Sequence, residues 1–255
     1  MKRCPWRSSI VALVLMAGCS APKETTKVGA LKPELTITLG SINLASHTKR
    51  IEKRDVVSMA RTLKREQVDV LALQSVTRYP GLENRIDLVK ELAAQTDLRQ
   101  AFGEMVNSGG KQTGNAVFST YPLHSNTNVM YDGVKSAGFE AALATVIDGG
   151  VRDIAVVSLQ LPEKASARDL DACLSKVQEH IGGEHSMPTI LFGNLPSADS
   201  NPSFAEFKIP TAKSGAARTW YSNNGSLSVL STRTVETDLG PMAVFQFGLF
   251  RQTSK

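Results

Sequence analysis

The 255-residue chain has few of the residues that staple or metallate small folds: 3 cysteines and 4 histidines. The cysteines stand far apart, at Cys4, Cys19 and Cys173, and no Cys-x-x-Cys pair occurs. A disulfide framework and a paired-thiolate metal site are therefore excluded. No Gly-x-Ser-x-Gly and no P-loop pattern is present, so one common hydrolase nucleophile and the common nucleotide cradle are missing too. No apolar run reaches the roughly 20 residues that a membrane-spanning helix needs. Charge of one sign is also scarce. The 29 basic residues face 24 acidic ones, and three of the basic ones, Lys2, Arg3 and Arg7, lie at the N-terminus, which lowers +5 to +2 without them. That bias is too weak to indicate nucleic acid or an anionic surface. No Gly/Ser/Pro-rich stretch divides the chain and no internal repeat occurs, so the 42% hydrophobic content suits one large α/β domain.

The N-terminus reads as an export leader. Lys2, Arg3 and Arg7 form a basic segment and Ile10 to Ala17 a short apolar one, too short to cross a bilayer. Leu15-Met16-Ala17-Gly18-Cys19-Ser20 follows and resembles a bacterial lipobox, with Met16 where Leu is commoner. The resemblance implies a signal peptide over residues 1–18 and a Cys19 that becomes N-terminal and carries lipid such as palmitate. Ser20 points to the outer membrane, with the protein facing the periplasm. Residues 19–33 read as a polar, patternless tether closed by Pro33. With Cys4 removed and Cys19 lipidated, Cys173 remains. It shares a helical face with Leu170, Leu174 and Val177 and reads as a core residue.

The folded part is organised around Val68-Asp69-Val70-Leu71-Ala72-Leu73-Gln74-Ser75-Val76. Val68 to Leu73 has the composition of a strand buried on both faces, although periodicity alone leaves a buried helix open. Before it, Val56, Met59, Ala60 and Leu63 recur at helical spacing within Asp55 to Gln67, completing half of an α/β layered unit. Leu35 to Leu44, Ala116 to Ser119 and Ile154 to Leu161 read as strands. Asp148-Gly149-Gly150 signals a hairpin turn, and Ile86 to Ala94 and Ala167 to Ile181 read as helices. His47 and His124 read as solvated loop residues. His180 and His185 flank Gly182-Gly183, which break the register that a shared metal face would need.

Several strand ends resemble the endonuclease/exonuclease/phosphatase superfamily of Mg²⁺-dependent phosphodiesterases. Asp69 to Gln74 is similar to a family strand ending Leu-Gln-Glu, whose Glu holds the metal; here Ser75 takes that place. Ser41-Ile42-Asn43-Leu44 is similar to Thr-x-Asn-Ile/Leu and keeps Asn43, which in the family reaches metal and phosphate. Gly114-Asn115-Ala116-Val117-Phe118-Ser119-Thr120-Tyr121-Pro122 keeps the scaffold signature, including Asn115 and Ser119, with Thr120 replacing a base. Elsewhere the family's functional residues are replaced. Ala141 or Ala142 stands for an Arg, and Leu159 or Gln160 for the phosphate-contacting His. Asn194 stands for the Asp that activates water, and Pro196 for the Asn after it. In Asp238-Leu239-Gly240-Pro241 the general-base His is Leu239.

The resemblance spans Leu35 to about Phe247. It implies a four-layer-type α/β sandwich over residues 34–250, two mixed β-sheets packed face to face with helices outside, followed by a tail at 251–255. Single-metal phosphodiester hydrolysis needs oxygen ligands for Mg²⁺, a base for water and donors for the oxyanion. Ser75 is a weak stand-in for a carboxylate, Asn194 cannot take a proton near neutral pH, and Leu239 has no polar atom. The expectation is a pseudoenzyme, a binding or scaffolding lipoprotein of the envelope without a metal or a competent catalytic residue. Its site would be the vestigial set Asn43, Ser75, Asn115, Glu140, Gln160, Asn194, Asp238 and Leu239. Its partners would be the membrane, through Cys19, and an envelope protein or ligand, with no nucleic acid. The alternative is a divergent phosphodiesterase or phosphatase using Asn43, Glu140 and Asp238 with Mg²⁺ or Mn²⁺. Asn43 and Asp238 read equally well as turn residues, and Glu140 better as a surface charge.

Overall fold

The computed structural model describes residues 32–81, 85–134, 140–161, 166–181, 187–194, 207–208, 218–222 and 226–250. In chain order these form β1 (Leu35–Asn43), α1 (Lys53–Arg65), β2 (Val70–Arg78), α2 (Leu88–Thr96), β3 (Arg99–Ser108) and β4 (Lys111–Ser119). Next come β5 (Leu123–Met130), β6 (Ala141–Asp148), β7 (Asp153–Gln160), α3 (Ala167–His180) and β8 (Thr189–Asn194). The last four are β9 (Phe207–Lys208), β10 (Arg218–Ser222), β11 (Leu227–Thr237) and β12 (Gly240–Leu249). Among the described residues no helix is long and apolar enough to cross a membrane.

The strands make two mixed sheets, ordered β11-β12-β1-β2-β4-β3 and β5-β6-β7-β8-β10-β9. Each has one parallel pair at its centre. β1 and β2 are joined through α1, and β7 and β8 through α3. Alternating side chains explain the layering. Ile37, Leu39, Val70 and Ala72 point inward and meet Leu143, Ile154, Val156 and Phe192 of the second sheet. Leu71, Leu73 and Phe118 point outward under Val56, Met59 and Leu63 of α1 and Leu88 and Leu92 of α2. Val157, Leu159 and Leu191 lie outward under Leu170, Cys173, Leu174 and Val177 of α3. The architecture is helices, sheet, sheet, helix, the four-layer sandwich expected from the sequence. Each fully buried Leu or Phe in these layers contributes roughly 1.5–3 kcal/mol.

Local chemistry shifts the helix ends from their expected places. α1 starts at Lys53 because Asp55 accepts the Glu52 N–H at 2.8 Å, half of a capping box. α2 starts at Leu88 because Asp87 caps the Lys90 N–H at 3.1 Å, and it ends where Asp97 turns left-handed at φ 54°. β3, β5 and β11 occupy stretches where the sequence pattern shows no strand. His124 is accordingly not a loop residue. It stands exposed on β5, between Asp148 and Asp153.

Candidate functional site

Two βαβ units set the geometry. Their parallel pairings end with Asn43 beside Gln74 in the first sheet and Gln160 beside Asn194 in the second. The carboxyl ends of such pairs are where open α/β sheets place ligands.

In β2 the regular alternation breaks. The register against β4 shifts between Leu73 and Val76, and Ser75 takes a left-handed backbone at φ 55°. This bulge turns two successive side chains, Gln74 and Ser75, toward the second sheet. Gln74 Nε2 donates to Ser158 Oγ at 3.1 Å, and Ser75 Oγ donates to Gln160 Oε1 at 2.9 Å. Ser41 Oγ donates to Gln74 Oε1 at 3.3 Å, and Ser158 Oγ to the Leu73 carbonyl at 3.3 Å. Asn115 adds a third tie: Oδ1 accepts the Ser75 N–H at 3.4 Å, and Nδ2 donates to the Ala141 carbonyl of the second sheet at 2.9 Å. Gln74, Ser158 and Asn115 are fully buried. The network is neutral throughout and knits the sheets together. Gln74 and Ser158 were not singled out by sequence pattern; a polar pair inside two apolar strands was the available signal.

The structure brings Ser75, Asn115 and Gln160 into direct contact and chooses Gln160, not Leu159, as the residue facing Ser75. Leu159 points the other way, under α3. Asn43 Oδ1 accepts the Ala45 N–H at 2.8 Å, as a turn residue does, while its buried Nδ2 has no partner. The Asn194 backbone ends β8 level with Gln160. Asp238 is exposed at the β11–β12 turn, which Thr237 closes by donating to the Gly240 carbonyl at 2.6 Å and accepting the Leu239 N–H at 3.2 Å. Leu239 packs with the layer under α1 and α2, not between the sheets. Glu140 is half-buried and lies near Tyr131 and Cys173. Burial first, then the charges of Asp169 and Glu140, pushes the Cys173 thiol up to about 12, so it stays a protonated core residue. Cys19, His185, Leu195 and Pro196 lie outside the described residues.

No protein-family model matches the sequence, and no curated protein matches it. Solved structures do. The endonuclease/exonuclease/phosphatase from Beutenbergia cavernae DSM 12333 superposes at TM-score 0.62 and 17% identity, over 84% of this chain and 72% of that one. The chain has the endonuclease/exonuclease/phosphatase fold. The human Nocturnin catalytic domain, solved with a bound sulfate anion, is similar at TM-score 0.64 and 14% identity, over 85% of this chain and 94% of that one. An endonuclease/exonuclease/phosphatase family protein from Bacteroides thetaiotaomicron gives TM-score 0.61 at 11% identity, over 87% of this chain and 100% of that one.

The metal that the sequence resemblance implies does not suit the donors at the Ser75 end of this fold. A divalent ion of the Mg²⁺ type takes carboxylates among its oxygen ligands. Here the facing groups are a hydroxyl and carboxamides, and the Ser75 hydroxyl is already committed to Gln160. One trio of His, Cys, Asp or Glu among the described residues has ligand atoms within 4.8 Å of one another: His124, Asp148 and Asp153. It lies at the far end of the second sheet, beside the β6–β7 hairpin. His180, on α3, instead places Nδ1 2.7 Å from the Lys176 carbonyl. A cleft of about 350 Å³ opens beside Ser75, lined also by Thr77 of the same strand, Tyr79 just after it and His47 from the β1–α1 loop.

Proposed function

We propose that this is a lipid-anchored protein of the bacterial envelope, held by Cys19 to the outer membrane and facing the periplasm. Its sandwich domain, a divergent member of the endonuclease/exonuclease/phosphatase superfamily, binds or scaffolds and does not hydrolyse. The observation that carries this reading is the Ser75–Gln160 hydrogen bond at 2.9 Å. It joins the positions at which the resemblance puts a metal-holding carboxylate and a phosphate-contacting imidazole, and closes them with two uncharged groups. Catalytic groups that act as a unit fail as a unit, so replacing several together removes many orders of magnitude in rate.

Two experiments test this. Expressed with its leader in a Gram-negative host, the chain should take up labelled palmitate and partition to membranes, and Cys19→Ala should abolish both; a soluble, unlabelled parent chain contradicts the anchor. Turnover of bis-p-nitrophenyl phosphate in Mg²⁺ or Mn²⁺ should not rise above that of Asp238→Ala. A metal-stimulated rate lost in that variant would mean a rebuilt active site.

A further inference from the structure

The β6–β7 hairpin lies at the end of the second sheet away from Gln160, and it gathers two carboxylates and an imidazole. Asp148 and Asp153 are its last cross-strand pair, directly opposite each other. Like charges so placed destabilise a hairpin unless a cation neutralises them. Among the described residues neither carboxylate has a Lys or Arg within ion-pair distance, although Arg152 adjoins Asp153 in sequence. The third donor comes from the edge strand. Pairing of β5 with β6 shifts register between Leu123 and Ser125, which makes His124 the extra residue of a bulge. A bulge re-aims its side chain. Here the ring stands between the carboxylates, Nε2 3.5 Å from Asp148 Oδ2 and Nδ1 3.2 Å from Asp153 Oδ1. Asp148 is already oriented, because its Oδ1 accepts the Gly150 N–H at 2.8 Å and leaves Oδ2 facing the imidazole. Donors 3.2 to 3.5 Å apart match the edge of a tetrahedron built on metal–ligand bonds of about 2.0–2.1 Å, roughly 3.3–3.4 Å. The three side chains are 38 to 49% exposed, so water has room to complete the shell. An imidazole among the donors favours a borderline ion such as Zn²⁺ over Mg²⁺.

We propose that His124, Asp148 and Asp153 bind a transition-metal dication of the Zn²⁺ type, with water filling the remaining positions. The site is separate from the Ser75 end and independent of whether that end hydrolyses. Its ligands belong to β5, β6 and β7, so the ion ties the edge strand to the third strand across β6. The test is calorimetry on the full-length chain in detergent, titrated with Zn²⁺. Saturable one-to-one binding is expected, together with a rise in melting temperature, since an ion held by the native state alone stabilises it. Mg²⁺ is a hard ion and Mn²⁺ stands lowest in the affinity order, so neither should give saturable heat at millimolar concentration. Co²⁺ should bind in place of Zn²⁺ with a visible absorption band that Zn²⁺ abolishes. His124→Ala should raise the Zn²⁺ Kd by at least the roughly 10–100-fold that even outer-shell partners cost, and Asp148→Asn/Asp153→Asn should do the same. Both variants should melt like the parent in EDTA, which separates lost binding from unfolding. His180→Ala, on α3, should leave binding unchanged. Absence of saturable Zn²⁺ binding overturns the proposal. So does binding indifferent to either the His124 or the double Asp change, which would mean an adventitious ion only.

Discussion

Ser75 holds a left-handed backbone, φ 55°, in which a non-glycine residue stores about 1–3 kcal/mol. The surrounding hydrogen bonds over-determine it: Gln74 and Ser75 both reach the second sheet, and Asn115 holds the Ser75 N–H. The sequence marks Ser75 only as a polar residue after an apolar run, because a one-residue bulge leaves no mark on hydrophobic pattern. Asp69, six residues earlier, behaves differently. Burial raises its carboxyl above the ordinary 3.8, and the Thr38 N–H bond at 2.8 Å only partly opposes this. The native state therefore holds this proton to higher pH than the unfolded chain. The group's contribution to stability is full below the ordinary carboxylate range and declines as pH rises through the raised value. Asp69→Asn keeps an acceptor for Thr38 and removes the ionisation. Its melting temperature should exceed the parent's near about pH 7 and converge with it near about pH 3; a constant offset at both would contradict the burial effect.

At the level of elements, β1, β2, β4 and β7, which the pattern shows, carry layers on both sides, whereas three strands that it does not show are edges. β3, β5 and β11 each end a sheet, and most residues of β5 and β11 are at least partly exposed. An edge strand buries one side at most, so polar residues fill it and period-two alternation fades. His124 lies on such an edge, just after the Pro122 turn. Backbone crowding accounts for one scaffold signature: a Cβ on Gly114 would strike the Gly103 carbonyl oxygen of the neighbouring strand. Asp87 joins two elements, capping α2 and pairing with the partly buried Arg78 at the end of β2. Asp87→Ala should lower unfolding free energy by about 1–2 kcal/mol, the usual loss for a cap. Asp87→Asn should recover part of that, because it keeps an oxygen for the Lys90 N–H. Urea denaturation of the two variants measures both; equal losses would assign the effect to Arg78 alone.

For the whole molecule, the four-layer sandwich was legible because its central strands are apolar runs and its scaffold signatures lie on them. The Ser75–Gln160 contact was not, because the two residues lie 85 positions apart on different sheets and nothing local marks them as neighbours. Fold carries no function by itself. What separates a retained hydrolase from a binding module here is whether the end of the sandwich at Ser75 and Gln160 accepts a divalent ion. Titrating Mg²⁺ and Mn²⁺ into the full-length chain by calorimetry measures that directly. The neutral, internally hydrogen-bonded site predicts no saturable heat at millimolar metal. One-to-one binding, weakened by Ser75→Ala or Asp238→Ala, would contradict it.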